Sequence, residues 1–279
     1  SAQQYFHTIC GVLRILMLFV AAVVVVAILL DKNPMTLFAG LGATSAVLML
    51  VFKDTISGLV AGVRLTSNDM LHKGDWITVK SVDANGIVED MSLTTVKVRN
   101  FDNTIVTISP ITLVNGSFQN WIGMQKSGGR RVKRVVYFDF RSVRLVDETL
   151  KRNLLAKHFA TEDSFKLKES LQKAIDKDIQ EGKDIEDLKN PAALAPTNLQ
   201  LYRKFMEKYL RQRPEVNTDL TLMVRHMEAT QCGLPIEFYF FIKDKVWVNY
   251  EHILADIMEH AYALANEFGL KIYEQYPEQ

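Results

Sequence analysis

From Ile15 to Leu30 the chain runs sixteen residues without a polar side chain, and from Asn33 to Phe52 a further twenty without a charge. At ~1.5 Å rise per residue, about twenty apolar residues match a hydrocarbon core of roughly 30 Å. The pattern predicts one helix over about Tyr5–Leu30, a polar turn at Asp31-Lys32-Asn33-Pro34, and a second helix antiparallel to the first. Arg14, near the start of the first helix, can snorkel to the headgroups. Asn33 can cap the second helix and Pro34 suits its first turn. The two segments differ in kind. The second carries Ala39, Gly40, Gly42, Ala43, Thr44, Ser45 and Ala46, small residues that let helix backbones approach closely in lipid.

Beyond Lys53-Asp54 the second helix changes character. Ile56, Leu59, Val60 and Val63 recur at i, i+3, i+4, i+7, which makes an amphipathic stripe suited to an interface. A bend near Phe52–Asp54 is expected, because a straight continuation would carry two charges onward from an apolar wall. Gly58 and Gly62 form a GxxxG pair, which with Ala39 and Ala43 marks candidate helix-packing positions.

From Leu71 short alternating runs replace the helical period. Trp76–Val82, Gly86–Glu89, Thr94–Arg99 and Thr104–Ile108 read as strands, with turns at Ala84-Asn85-Gly86 and Asp102-Asn103. After Gly128-Gly129 the chain becomes mixed. Val132–Phe140, Leu220–Glu228 and Ile236–Ile242 read as strands, and Val146–His158, Asn198–Arg211 and Tyr250–Phe268 as helices. Asp163–Gln180 has apolar residues at helical spacing, Glu181–Pro196 is a polar excursion, and Lys271–Tyr276 is a candidate last strand. The expected architecture is therefore a membrane helical hairpin, a small β domain and a C-terminal α+β domain. The segments are 1–32, 33–70, 71–128 and 129–279, with a helical insertion near 164–213.

The 279 residues carry a net charge of +1, which argues against nucleic acid as a partner. Cys10 and Cys232 form neither a disulfide framework nor a metal pair. Ser1 in place of an initiator Met suggests a processed or truncated product, with room for further helices upstream. No catalytic motif survives scrutiny. Gly40-Leu41-Gly42-Ala43 lies inside an uncharged span with no strand before it, so it lacks the mechanics of a dinucleotide loop. The six histidines show no HExxH spacing, and Glu251-His252 and Glu259-His260 belong to a solvated helix face. No metal, no cofactor and no enzyme activity is expected. Arg130-Arg131-Val132-Lys133-Arg134 reads as a solvated strand entry, and Trp76, Trp121 and Trp247 as core anchors.

The small-residue helix has a physical use. Gly42, Ala46 and Leu50 share one face at i, i+4, i+8, and a ring of such helices would enclose a narrow apolar channel. Such a constriction blocks ions because water leaves it. Leu50 is the candidate gate, with Met49 and Phe52 as substitutes if the helix is rotated. The alternative is ordinary close packing with no pore.

The stretch Phe38–Trp121 resembles the small-conductance mechanosensitive channel family, closest to its miniconductance members. The features that carry this occur in order: the small-residue helix, Ser57-Gly58-Leu59-Val60-Ala61-Gly62, Lys73-Gly74-Asp75-Trp76-Ile77 and Gly86-Ile87-Val88-Glu89-Asp90. Thr94–Arg99 and the Asp102-Asn103 hairpin complete the series. The resemblance implies a homoheptamer gated by membrane tension, whose last membrane helix lines the pore and then bends into an interfacial segment. It also implies an Sm-like β domain and an α/β domain forming a cytoplasmic vestibule, in a bacterial inner membrane. Ions and small osmolytes would pass, and membrane lipid would be the other partner. Two departures stand out. The family often has Leu at two ring positions where this chain has Ala46 and Leu50, and a Gln-Gly bend where it has Lys53 and Asp54. The rival expectation is a non-conducting, membrane-anchored ligand-binding or signalling protein.

Overall fold

The computed structural model describes residues 2–166, 169–182 and 195–275. They form two compact units, Ser1–Trp121 and Ile122–Gln279.

The first unit opens with helices α1 (Ala2–Leu29) and α2 (Pro34–Ser67). Both are long and apolar enough to cross a membrane. The turn between them works as its sequence suggests: the Asn33 side chain accepts a hydrogen bond from Met35 N at 2.9 Å, and Pro34 opens α2. Asp31 takes the left-handed conformation that closes the turn. Val23 and Ala27 are buried, while most large apolar side chains of both helices are exposed. In water that surface would drive aggregation; in lipid it is solvated.

A five-stranded antiparallel sheet follows, with strands β1 (Trp76–Val79), β2 (Ala84–Met91), β3 (Val96–Asn100), β4 (Ile105–Ile108) and β5 (Gln119–Asn120). Their spatial order is β4-β3-β2-β1-β5. Alternation of β-branched and polar residues puts Ile77, Val79, Val88, Val96, Val98 and Ile108 into one core. Helix α3 (Pro110–Asn115) adds Leu113 to it.

The strands match expectation, but one turn does not. Ala84-Asn85-Gly86 lies within β2, and the chain reverses instead through a 3-10 turn at Lys80–Val82 with Asp83 left-handed. Asn85 is used across the sheet: its Oδ1 accepts from Trp76 Nε1 at 2.9 Å and Thr78 Oγ1 at 3.1 Å. Gly86 is required for a different reason than turning. A Cβ there would stand 1.9 Å from the Arg99 carbonyl oxygen on β3.

The second unit begins with helix α4 (Ile122–Lys126). A three-stranded antiparallel sheet follows, ordered β6 (Arg130–Phe138), β8 (Leu234–Ile242), β7 (Met223–His226). Helices α5 (Glu148–Ala156), α7 (Asn198–Gln212) and α8 (Trp247–Glu267) bury their apolar stripes with one face of this sheet. Helix α6 (Glu169–Gln180) precedes α7 in sequence. The expected insertion over 164–213 is corrected at its C-terminal part. Leu199, Leu201, Tyr202, Met206 and Leu210 make α7 part of the main core, with its 3.6-residue stripe fully buried. Residues 183–194 of the polar excursion lie outside the described residues. The candidate last strand is reduced to an antiparallel bridge between Ile272 and Phe138; Tyr276 lies outside the described residues.

Two polar arrangements fix this unit. Asn198 is fully buried and uses its whole amide: Nδ2 donates to the Ser142 and Phe268 carbonyls at 2.8 and 3.1 Å, while Oδ1 accepts from Arg144 N and Leu199 N. On the outer side of β7, the Val224 carbonyl accepts from Arg203 Nη1, and Val224 N donates to Glu207 Oε1 at 3.0 Å.

Tyr202 sits between Phe138 and Phe268 in edge-on contacts and donates to the Ala261 carbonyl at 2.6 Å. Burial raises its phenol well above the usual value, and raises Tyr209 and Tyr250 in the same direction. A raised folded-state pKa leaves stability intact below the unfolded value of about 10 and removes it as pH climbs toward the folded value. Tyr202→Phe should therefore cost about 1 kcal/mol at neutral pH through the lost hydrogen bond. It should also flatten the alkaline decline in melting temperature. Melting curves across the alkaline range check both; an unchanged alkaline slope would show that Tyr202 does not carry the effect.

Candidate pore helix and its seat on the β domain

Helix α2 has two halves with different surroundings. In the first, Ala39, Gly42, Ala43, Ala46, Met49 and Leu50 are all exposed, with Leu50 at 75% and Met49 at 69%. A Cβ added to Gly40 or Gly42 would meet nothing within 4 Å. The Thr44 hydroxyl donates back to the Gly40 carbonyl at 2.9 Å and so is satisfied within the helix. Among the described residues, nothing packs closely on Gly40 or Gly42.

Two faces are distinguishable. Gly42, Ala46 and Leu50 form one row. A shallow apolar groove of about 370 Å³ runs along another, lined by Ser45, Leu48, Met49, Phe52, Thr55 and Ile56. At 3.6 residues per turn the two faces lie roughly a third of a turn apart. Met49 and Phe52, substitutes for Leu50 in the sequence reading, thus belong with Leu48 and not with the Leu50 row.

The bend is expected near Phe52–Asp54. α2 is continuous helix through Lys53 and Asp54, both of which are exposed.

In the second half α2 becomes part of the β domain. Ala61, Gly62 and Leu65 are buried, and Leu65 joins the core of Ile77, Val88 and Val98. The two glycines of the GxxxG pair separate here. Gly58 has open space around it, whereas a Cβ on Gly62 would stand 2.3 Å from the Leu93 carbonyl oxygen. The helix backbone therefore rests directly on the loop between β2 and β3. Thr66 Oγ1 and Ser67 Oγ donate to the carbonyls of Gly62 and Val63, and Asn68 ends the helix with its N–H on the Arg64 carbonyl.

The following loop is held by Asp75. Its Oδ2 accepts from His72 N at 3.1 Å and from Asn120 Nδ2 at 2.8 Å, and Asn120 Nδ2 also reaches the Met70 carbonyl. Trp76 stacks on Trp121 at 4.7 Å, with Phe101 edge-on at 5.3 Å. Trp121 Nε1 donates to Thr78 Oγ1 at 3.0 Å. Both rings are half-buried anchors. Trp247 is not one: it is 54% exposed and donates to Glu251 on its own helix. At the β3–β4 hairpin, hydrogen bonds from the Thr104 hydroxyl and backbone hold the Asp102 carboxyl below its usual value. Among the described residues no cluster of His, Cys, Asp and Glu could hold a metal ion.

Residues 54–123 match the family model described as the β-domain of mechanosensitive ion channels. Over that domain the chain is similar to the MscS family of mechanosensitive channels. It is 34% identical over 84 residues to the small-conductance mechanosensitive channel MscMJ of Methanocaldococcus jannaschii, covering 30% of this chain and 23% of that one. It is 30% identical over 129 residues to the large-conductance channel MscMJLR of the same organism, covering 46% and 35%. The chain thus spans about a quarter to a third of these two relatives. Among solved structures, Arabidopsis thaliana MSL1 aligns over 94% of this chain and 74% of its own, with a TM-score of 0.59 and 11% identity. The closed-state crystal structure of Helicobacter pylori MscS aligns over 96% and 81%, with a TM-score of 0.54 and 14% identity. The MscS fold is shared from the helical hairpin through the C-terminal α+β unit.

The seat of α2 yields a contrast between two glycines four residues apart. Gly62→Ala forces the helix off the Leu93 carbonyl and should cost about 1–3 kcal/mol, as overpacking does. Gly58→Ala meets open space and should gain about 0.5–1 kcal/mol from helix propensity. Thermal unfolding of the detergent-solubilised chain checks the opposite signs; equal effects would remove the distinction between the two sites.

Proposed function

We propose that this chain is a subunit of a mechanosensitive ion channel that opens under membrane tension and releases ions and small osmolytes during hypo-osmotic stress. The observation that carries this reading is α2 itself. Its first half exposes a row of small and apolar residues that no described residue covers, and its second half is built into a domain that matches the mechanosensitive-channel β-domain. A homo-oligomer, taken as a heptamer, would cover that row by placing copies of α2 side by side. Ala39 and Ala43 would then allow close approach, and Gly42, Ala46 and Leu50 would face the axis. A narrow apolar ring at Leu50 closes such a pore by excluding water. Tension shifts the population toward the state of larger membrane area. Lys53 and Asp54 would mark the cytoplasmic end of the pore, where a bend arises from assembly rather than from the helix alone.

The rival reading is a non-conducting, membrane-anchored ligand sensor. One observation favours it, a polar cavity of about 1130 Å³ in the second unit, lined by Arg141, Arg144, Lys271 and Tyr273 among others. Patch recording of reconstituted protein under graded suction separates the two. The channel reading expects tension-gated currents, with Leu50→Ser opening at lower tension or leaking at rest. Silence under lytic tension would favour the sensor. If Phe52→Ser leaks and Leu50→Ser behaves as the parent, the pore face is the groove of Met49 and Phe52 instead.

The expected location is the inner membrane of a bacterium, with Asp31–Pro34 outside and everything after Arg64 in the cytoplasm. Lys53 and Arg64 in the second half of α2, with Lys73 and Lys80 after it, gather positive charge on the far side of the helix, while Asp31 and Lys32 leave the short turn neutral. In a background lacking Cys10 and Cys232, Asn33→Cys should react with an impermeant thiol reagent added to intact cells. Labelling of Ser142→Cys instead would invert the topology.

A further inference from the structure

Among the described residues, helices α5, α7 and α8 share their core with one face of the β6-β8-β7 sheet. Val132, Val136, Phe138, Phe238 and Phe240 belong to that core. Cross-strand partners share a face, so the register defines what stands on the other: Arg131 with Phe241, Lys133 with Tyr239 and Met223, and Val135 with Glu237 and Arg225. This face is aromatic and cationic. Tyr239 and Phe241 meet edge-on at 5.9 Å. Two cations, Lys133 and Arg225, stand beside one carboxylate, that of Glu237.

Glu237 is the unusual member. It is fully buried although Lys133 and Arg225 beside it are about half exposed. Its Oε1 accepts from Arg225 Nε at 2.7 Å, and Lys133 Nζ lies 3.8 Å from Oε2. Oε2 has no hydrogen-bond donor among the described residues. A buried acceptor left in that condition needs a partner. Meanwhile the carboxylate fixes the two cations in place, so the face presents a preorganised positive charge.

A surface of opposite sign lies elsewhere on the same unit. Val248, Glu251, Ala255, Glu259 and Tyr262 fall at i, i+3, i+7, i+11 and i+14 on α8 and are all exposed, with Val248 at 63% and Tyr262 at 45%. The stripe is acidic and apolar where the sheet face is basic and aromatic.

We infer that the free face of the β6-β8-β7 sheet docks on the outer stripe of α8 from a second copy of this chain. The inference rests on the homo-oligomeric reading above and names the contact that would build it. Two different surfaces meet, so the contact is heterologous, and repeating it around an axis closes a ring. Lys133 and Arg225 pair with Glu251 and Glu259 across the joint. Tyr239 and Phe241 cover Val248 and Ala255.

The test uses the full chain in detergent with Cys10 and Cys232 replaced by Ser. Tyr239→Cys combined with Ala255→Cys should give, on oxidation, a ladder of cross-linked products, and neither single variant should cross-link. The double substitution Lys133→Glu with Arg225→Glu should lower the assembled fraction several-fold at low salt. Adding Glu251→Lys and Glu259→Lys should restore it, a rescue that a folding defect would not show. Absence of a ladder in protein whose native mass is multimeric overturns the contact and leaves the oligomer standing. A dimer formed by Tyr239→Cys alone overturns it as well, because the interface would then be self-complementary. A monomeric native mass removes the oligomeric reading itself, and the contact with it.

Discussion

Everything the membrane end of this chain can do depends on how closely α2 lies on the loop between β2 and β3. Gly62 is the point of contact, with the Leu93 carbonyl where a side chain would begin. Three residues on, Leu65 is fully buried in the β-domain core. A single helix therefore has one end apolar and exposed and the other packed like a protein interior. Movement of the apolar half has to be absorbed either by bending α2 or by lifting it off the β domain. Lys53 and Asp54 lie between the two halves, where water can reach them.

The exposed half of α2 is informative because it is incomplete. A soluble helix of this composition would be buried on at least one side. Here only the neighbourhood of the α1–α2 turn is covered, and the glycines at 40 and 42 have open space around them. Small residues contribute to stability only when another backbone comes near. Lipid gains nothing from a glycine, so these positions gain a use only where the backbone of a further helix comes near.

Much of the fold was legible in the sequence. The hairpin, the four long β-domain strands and the strands and helices of the second unit follow from period and turn chemistry, with boundaries shifted by a few residues. The misses have physical reasons. β5 is two residues long, too short to show a period. α3 is six residues, and its one signal was the Ser109-Pro110 pair, which places Pro at the first helical position. Asn85 looked like a turn residue because Asn-Gly so often is, yet its side chain is spent on Trp76 and Thr78. Trp247 carried no local sign of exposure. The candidate site was legible as a list of residues and less so as a geometry. Gly58 and Gly62 look alike in sequence and differ in space, and which row of α2 faces an axis depends on copies that one chain does not contain.

Asn198 has a bearing on the order in which the molecule comes into being. Its amide joins Ser142, 56 positions earlier, to Phe268, 70 positions later. The β domain, by contrast, closes with pairings between strands adjacent in sequence, apart from β5 against β1. Local contacts form quickly and distant ones slowly. During synthesis the β domain can settle beneath the membrane helices while the second unit is still being made. That unit has to wait for the last helix before its central amide finds both carbonyls. A nascent chain thus passes through a stage in which the hairpin is anchored and seated but the α+β unit is open, with the apolar face of α7 uncovered.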